Sequence, residues 1–343
     1  MNCCSNCFSD KFLQNYISDL STEKGKCNFC KTRKHYPLIE PSVLLDIFQP
    51  VFDLYSEESN GSLLNELLQE NWHIFSKDTT GEKQLQLLSL IIGDNEILSK
   101  TLIPKFISKE SVIEKWNDFA NKLKHEKRFF PKSDKEISEL SELFNYLIMP
   151  KENIPKNIYR ARIDRDSMGF SINEMGKPPL KKSTDGRANP KGISYFYGAS
   201  DIKTAIAECR PYKTDIIYVA KFKVSPKITF IDLTNPQSTI SPFNFDDDTL
   251  TELHEQDMPL LIHLSDKLSQ PVLPHKKELE YLPTQYLCEL IKEKEFNGIA
   301  YRSSLERGFN YVVFDESLLI GKKVDKYIIS DTLVKPVKQK TTN

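Results

Sequence analysis

The chain has 343 residues, 39% hydrophobic and 28% charged, a balance that fits two or three folded domains rather than a disordered or fibrous chain. Lys plus Arg number 47 and Asp plus Glu 48, so net charge gives no bulk electrostatic case for nucleic-acid or membrane binding. The longest near-apolar stretch, Leu85 to Ile92, is far too short to span a bilayer. The N-terminal MNCCSNCFSD lacks the basic and apolar regions of a secretory signal, so a cytoplasmic location with reduced thiols is expected.

Residues 1–37 are rich in Cys, Lys and Asn and cannot bury a core alone. Five of the seven cysteines fall in the first 30 residues. Cys4-x2-Cys7 and Cys27-x2-Cys30, nineteen residues apart, form a four-thiolate pattern in which each pair reaches a tetrahedral Zn²⁺ from one tight turn. Such a set has no open coordination position, so the metal expected at Cys4, Cys7, Cys27 and Cys30 is structural. Cys3 competes with Cys4 by a one-residue shift. The competing readings are a disulfide pair, disfavoured in a reducing compartment, and inert thiols, which rarely pair as two CxxC motifs. Cys209 and Cys288 lie in helical apolar patterns and read as core.

Residues 38–150 read as helical. Val112, Trp116, Phe119 and Leu123 recur on one helix face, and Ile137, Leu140, Phe144 and Leu147 form another after the capping-box pattern Ser133-x-x-Glu136. Leu63 to Leu68 and Leu85 to Ile92 complete a predicted bundle.

Residues 151–343 change texture. Prolines punctuate loops, and strand-like runs appear at Ile193 to Tyr197, Ile216 to Val224, Thr229 to Leu233, Gly298 to Ser303 and Asn310 to Phe314. Helical pieces are expected at Ser200 to Arg210, at Thr249 to Leu268 with an interruption at Pro259, and at Thr284 to Lys294. The strands are mostly not separated by regular helices, so a mixed α and β half is predicted rather than a doubly wound parallel sheet. A long insertion is expected near 235–280, carrying the acidic Phe245 to Asp248, and a flexible basic tail from Lys335.

Within this half, Arg160 and Arg162 share one face if Asn157 to Arg162 is extended. Arg187 follows Gly186, a glycine read as needing positive φ. Converging arginines suit a pyrophosphate, because guanidinium binds phosphate bidentately and keeps its charge; a lone Arg is more often a surface ion-pair partner. Tyr195 and Tyr197 alternate along a strand, and the ring of Tyr197 could stack on a base or pyridinium, whereas Tyr195 reads as sheet packing. Ser200 is read as the N-cap of the next helix and Pro211 as its stop, with Thr204 and Glu208 on one face. Arg210 reads as a helix-end cation. Ser303 ends a strand where a hydroxyl can position a ligand; no G-x-S-x-G surrounds it. G-x-G-x-x-G, a P-loop and H-E-x-x-H are absent.

These pieces resemble a RES domain over residues 155–320: IYRARI with Arg160, GRANPKGISYFY with Arg187 and Tyr197, TAIAECR with Glu208, and GIAYRSS with Ser303. The resemblance implies an α+β protein whose second half has an ADP-ribosyltransferase-like fold with a split mixed sheet. It also implies toxin-type breakdown of NAD⁺ by hydrolysis or phosphorolysis at the nicotinamide–ribose bond. Glu208, Arg160 and Ser303 would then be catalytic, and Arg187, Tyr197, Arg162 and Asn310 would bind substrate. Residues 1–150 resemble the region often fused to such domains, a zinc-ribbon-like start and a HEPN-like bundle, most specifically in WNDFANKLKHEKRFF from Trp116. The ribonuclease signature of active HEPN domains, Arg then His, is missing, since Lys122 and Lys124 precede His125. The partners implied are NAD⁺, an antitoxin or regulatory protein, and a second copy of the chain. The rival readings are ADP-ribose transfer to a macromolecule, a non-catalytic partner-binding protein, and a bundle-borne ribonuclease.

Overall fold

The computed structural model describes residues 1–93, 96–105, 109–129 and 141–331. The chain forms two compact units: Met1–Phe119 with Asn235–His263, and Ala120–Thr234 with Leu264–Asn343. The capping-box pattern Ser133 to Glu136, Ile137, Leu140 and the tail from Lys335 lie outside the described residues. Among those described, no helix is long and apolar enough to cross a membrane.

The first unit begins with a small antiparallel sheet. β1 (Cys3–Cys4) and β2 (Glu23–Gly25) both pair with β3 (Tyr36–Ile39). The helix Lys11–Leu20 starts at Asp10, whose side chain accepts the N–H of Leu13, and it buries Leu13 and Ile17 four residues apart. The helices Leu64–Trp72 and Gly81–Ile92 and the first part of Lys109–His125 form where periodicity placed them, with Trp116 and Phe119 buried. Between them lies a pairing that periodicity did not reveal: β4 (Tyr55–Ser62) against β5 (Leu102–Pro104). The run YSEESNGS is polar and mostly exposed, so it carries no alternation to read.

Residues 235–263 complete this unit. Phe243 packs on Phe48 with ring centroids 4.8 Å apart and stacks on Phe12. His254 stacks on Trp72 and meets Tyr55 edge-on. The predicted interruption at Pro259 becomes a change of helix type. The helix Asp247–Glu252 passes into a π-helical turn, Leu253–Asp257, and then into the helix Met258–Ser269. A wider turn just before proline suits a residue with no N–H to donate.

The second unit is built on one mixed sheet of seven strands: β6 (Asn157–Ile163), β7 (Phe196–Ala199), β8 (Ile216–Val224), β9 (Phe230–Leu233), β10 (Gly298–Arg302), β11 (Phe309–Val313) and β12 (Leu319–Ile328), in the order β12-β8-β6-β7-β11-β10-β9. Only β9 and β10 run parallel, so the sheet is not doubly wound. Phe196, Phe222, Phe230, Tyr311 and Val313 form the centre of its core. Phe144 and Leu147 are fully buried, but in a 3₁₀ helix, Leu143–Leu147, rather than on an α-helical face.

The sheet is nearly split. β6 pairs with β8 over seven residues and β7 with β11 over four, yet β6 and β7 share a single pair, Tyr159 with Ala199. Beside it Gly198 lies so close to β6 that an added Cβ would stand 3.2 Å from the Tyr159 carbonyl oxygen. Beyond that pair the two strands part.

Candidate functional site

A cavity of about 180 Å³ lies where β6 and β7 diverge, with Tyr159, Arg160, Tyr197, Ala205, Glu208, Cys209, Tyr301 and Asn310 among its walls. Two halves of one sheet supply opposite walls, and the helix Ile202–Glu208 supplies a third. That helix is capped by Asp201 rather than by Ser200, because the longer carboxylate reaches both the N–H of Thr204 (2.9 Å) and its hydroxyl (2.8 Å). Ser200 instead donates to Asp201 and accepts the N–H of Phe309, tying helix to β11. The helix ends at Glu208; Arg210 follows in left-handed backbone, φ 49°, just before Pro211.

Glu208 therefore stands at the last turn, facing the sheet. Ser303 Oγ and Asn310 Nδ2 both donate to its Oε1, each at 2.7 Å. Asn310 is buried on β11, while Ser303 sits just after β10, its Oγ also accepting the N–H groups of Leu305 and Glu306. Among the described residues no donor reaches Oε2. Two residues of the β10–β11 pair, about a hundred positions downstream, thus fix one carboxylate.

Arg160 faces the same cavity from β6. Its guanidinium lies 5.1 Å over the Phe196 ring, and its Nη1 is enclosed without a hydrogen-bond partner. Burial, then the neighbouring Arg162, lower its pKa to about 10, still well above neutrality, so the cation persists without a paired anion. Tyr197 is locked by its phenol, which donates to Asn189 Oδ1 at 2.6 Å and accepts the N–H of Ala188 at 3.2 Å. Burial raises its pKa well above the usual phenol value. Gly186 is required here for space and not for positive φ, which it lacks. A Cβ there would collide with the Tyr197 phenol and the Asn189 amide oxygen.

Two predicted arginines are engaged elsewhere. Arg187 donates to the Leu268 carbonyl, and its own carbonyl accepts the Thr284 hydroxyl at 2.7 Å. Arg162 donates to the Gly176 carbonyl at 2.8 Å and lies over Phe170. Neither lines the cavity. Tyr301, Tyr159 and Cys209 do, and sequence reasoning passed over them in that role. Cys209 lay in an apolar pattern that read as core, and Tyr301 lay unremarked within GIAYRSS. Burial raises the Cys209 thiol to about 11, with Arg160 opposing the rise. Tyr195, expected to pack in the sheet, is fully buried against Phe314.

The other polar convergence is in the first unit. Cys4, Cys7, Cys27 and Cys30 bring their sulfurs within 4.8 Å of one another. Cys4 lies 3.6 Å from Cys30 and Cys7 3.3 Å from Cys27, close to the ~3.8 Å edge of a tetrahedron with 2.3 Å metal–sulfur bonds. Cys3, though buried, is outside the set, since successive side chains on β1 point to opposite faces. These four thiolates could hold a metal ion.

Residues 158–327 match the family model of the RES domain. No curated protein matches the chain. Among solved structures it is similar to one described as the crystal structure of the M. tuberculosis MbcT-MbcA toxin-antitoxin complex. The identity is 11%, the match covers 55% of this chain and 91% of that chain, and the TM-score is 0.32.

Proposed function

We propose that the RES domain carried by residues 158–327 breaks NAD⁺ at the nicotinamide–ribose bond, with Glu208 as the central catalytic group. The observation that carries this reading is an enclosed, unpaired guanidinium, Arg160, sharing one small cavity with a carboxylate that Ser303 and Asn310 hold in place. A lone buried cation favours an anionic ligand, and a fixed carboxylate favours developing positive charge. NAD⁺ offers both, a pyrophosphate and an oxocarbenium-like transition state at the ribose.

The cavity is smaller than the ~300 Å³ at which pockets for drug-sized ligands begin, so it takes one end of a dinucleotide. In this reading the nicotinamide packs against the ring of Tyr197 and the ribose faces Glu208. Arg160 meets the pyrophosphate or an incoming phosphate, and Ser303 and Asn310 keep the carboxylate on the ribose. The N-glycosidic bond breaks with both electrons going to the nicotinamide nitrogen, which quenches its positive charge. An oxygen of water or phosphate forms the new bond to the same carbon. With water a proton is released, and Glu208 is placed to take it. The leaving group departs neutral and needs no acid, so one carboxylate suffices where most glycosidases use two. Arg187 and Arg162 support this site through the backbone carbonyls they bind.

The four cysteines are assigned a structural Zn²⁺, which would tie β1 to the loop around Cys27 and Cys30 and substitute for a core this short segment cannot supply.

Chromatography of NAD⁺ incubated with the purified full chain, with and without inorganic phosphate, tests the reaction. Free nicotinamide with ADP-ribose, or with its phosphorylated form when phosphate is present, is the expected outcome. Intact NAD⁺ under both conditions overturns it.

A further inference from the structure

Tyr197 forms part of the cavity wall, and the groups that hold its phenol both belong to one turn, Gly186 to Asn189. The Gly186 N–H closes that turn on the Asn189 carbonyl at 2.9 Å. Asn189 is buried, and its amide can face only one way. Its Nδ2 donates to the carbonyls of Thr184 at 3.0 Å and Ile193 at 2.7 Å, which leaves Oδ1 as the end that meets the tyrosine.

A helix far along the chain holds the turn itself. Pro283 opens the helix Leu282–Glu293, and the next two residues, Thr284 and Gln285, are polar and buried. Thr284 Oγ1 donates to the Arg187 carbonyl at 2.7 Å. Gln285 Nε2 donates to two carbonyls, Gly186 at 2.9 Å and Asn189 at 3.0 Å. Three carbonyls of a four-residue turn are thus taken by two side chains 96 to 99 residues downstream. Buried carbonyls need such donors, and a side chain at 285 that could not donate would leave two of them unmet. The turn has no slack to absorb a shift, since the Tyr197 phenol and Asn189 Oδ1 fill the space beside Gly186.

We propose that Gln285, assisted by Thr284, is a positioning residue for the nicotinamide end of the cavity. Gln285 does not line the cavity. It clamps the turn, the turn fixes the phenol, and the aromatic ring is held where a flat ligand ring can pack on it. The proposal rests on the reading that this cavity receives NAD⁺. Loosening a pre-positioned ring weakens what packs on that ring and spares contacts made elsewhere.

The test is Gln285→Glu in the full chain, which keeps the side chain's length and replaces its donors with an acceptor. Inhibition of NAD⁺ turnover by nicotinamide should weaken about 10-fold, while inhibition by ADP-ribose, which lacks that ring, should stay within about 2-fold. Thr284→Val should act in the same direction with a smaller effect, and it decides the matter if Gln285→Glu does not melt cooperatively. In a Tyr197→Phe background, where the phenol is already gone, Gln285→Glu should add less than about 2-fold, the non-additivity of residues acting as one unit. A readout free of NAD⁺ is the ring signal of ¹³C-labelled tyrosine that Tyr197→Phe removes; it should move in the Gln285→Glu protein. An unmoved signal, equal weakening of both inhibitors, or additive effects in the double variant would each overturn the proposal. Failure of the NAD⁺ reading shows separately, as wild-type protein that leaves NAD⁺ intact whether or not the tyrosine signal moves.

Discussion

The two polar convergences of this chain are built on opposite plans. Around the cysteines the four sulfurs converge on one point at the spacing of a tetrahedral metal site. Around Glu208 the polar groups face a gap: one carboxylate oxygen takes both hydrogen bonds, and the Arg160 guanidinium across the cavity has an enclosed nitrogen with no partner. A closed donor set satisfies itself and holds a fold together. An open one stores unmet electrostatic demand that a ligand can answer. The difference follows from chain geometry, since tight CxxC turns bring donors together locally, whereas the cavity needs β6 and β7 to part after a single pair.

The largest predicted effect probes the closed plan. Cys7→Ser should abolish binding of the proposed Zn²⁺ and with it cooperative melting of the first unit, because metal binding of this kind contributes on the order of 10 kcal/mol to folding. Elemental analysis with calorimetry reads both, and an unchanged melt would show that the sulfurs merely pack. Next comes acid sensitivity of the same unit. Burial lowers the His254 pKa to about 4, while the unfolded chain protonates near 6.5. The unfolded state therefore binds more protons in that window, and stability should be fully present above about 6.5 and decline as pH falls towards 4, by roughly 3 kcal/mol at most. Urea melts across that range check this, and His254→Phe should remove the slope.

Two smaller effects probe the open plan. Arg160→Lys keeps the charge but not the fork, and KM for NAD⁺ should rise about 30-fold, roughly 2 kcal/mol, with a smaller change in kcat. Steady-state kinetics decide it; unchanged KM would remove Arg160 from ligand binding. Asn310→Ala should cost about 10-fold in kcat/KM, the effect of one charge-assisted hydrogen bond, with Ser303 still holding Glu208.

Local pattern told much of this structure in advance. Trp116 and Phe119 could be read as a buried face because helical spacing is set within a few residues, whereas the helix that buries Leu13 and Ile17 went unread inside the Cys-rich start. Cys4, Cys7, Cys27 and Cys30 were legible for the same reason. The choice of Cys4 over Cys3 was not, because it depends on which side of β1 faces Cys27 and Cys30. The cavity itself was only half visible. Glu208, Arg160, Tyr197 and Ser303 could be named from motifs, but that Asn310 and Ser303 would meet on the same oxygen depends on the register of β7, β10 and β11. Arg187 illustrates the limit: a guanidinium near a ligand motif is spent on the Leu268 carbonyl, a contact no spacing could announce. Asp201 displaced Ser200 as the cap because propensity ranks them together and only geometry separates them.

The central claim rests on Glu208, and nicotinamide release from NAD⁺ by wild-type protein and by Glu208→Gln, measured side by side, tests it most directly. The substitution keeps the side chain's size and removes its charge. The account predicts a fall in kcat of about 10³-fold, roughly 4 kcal/mol of transition-state stabilisation, with metal content and melting unchanged. A Glu208→Gln protein that releases nicotinamide at the wild-type rate would contradict it.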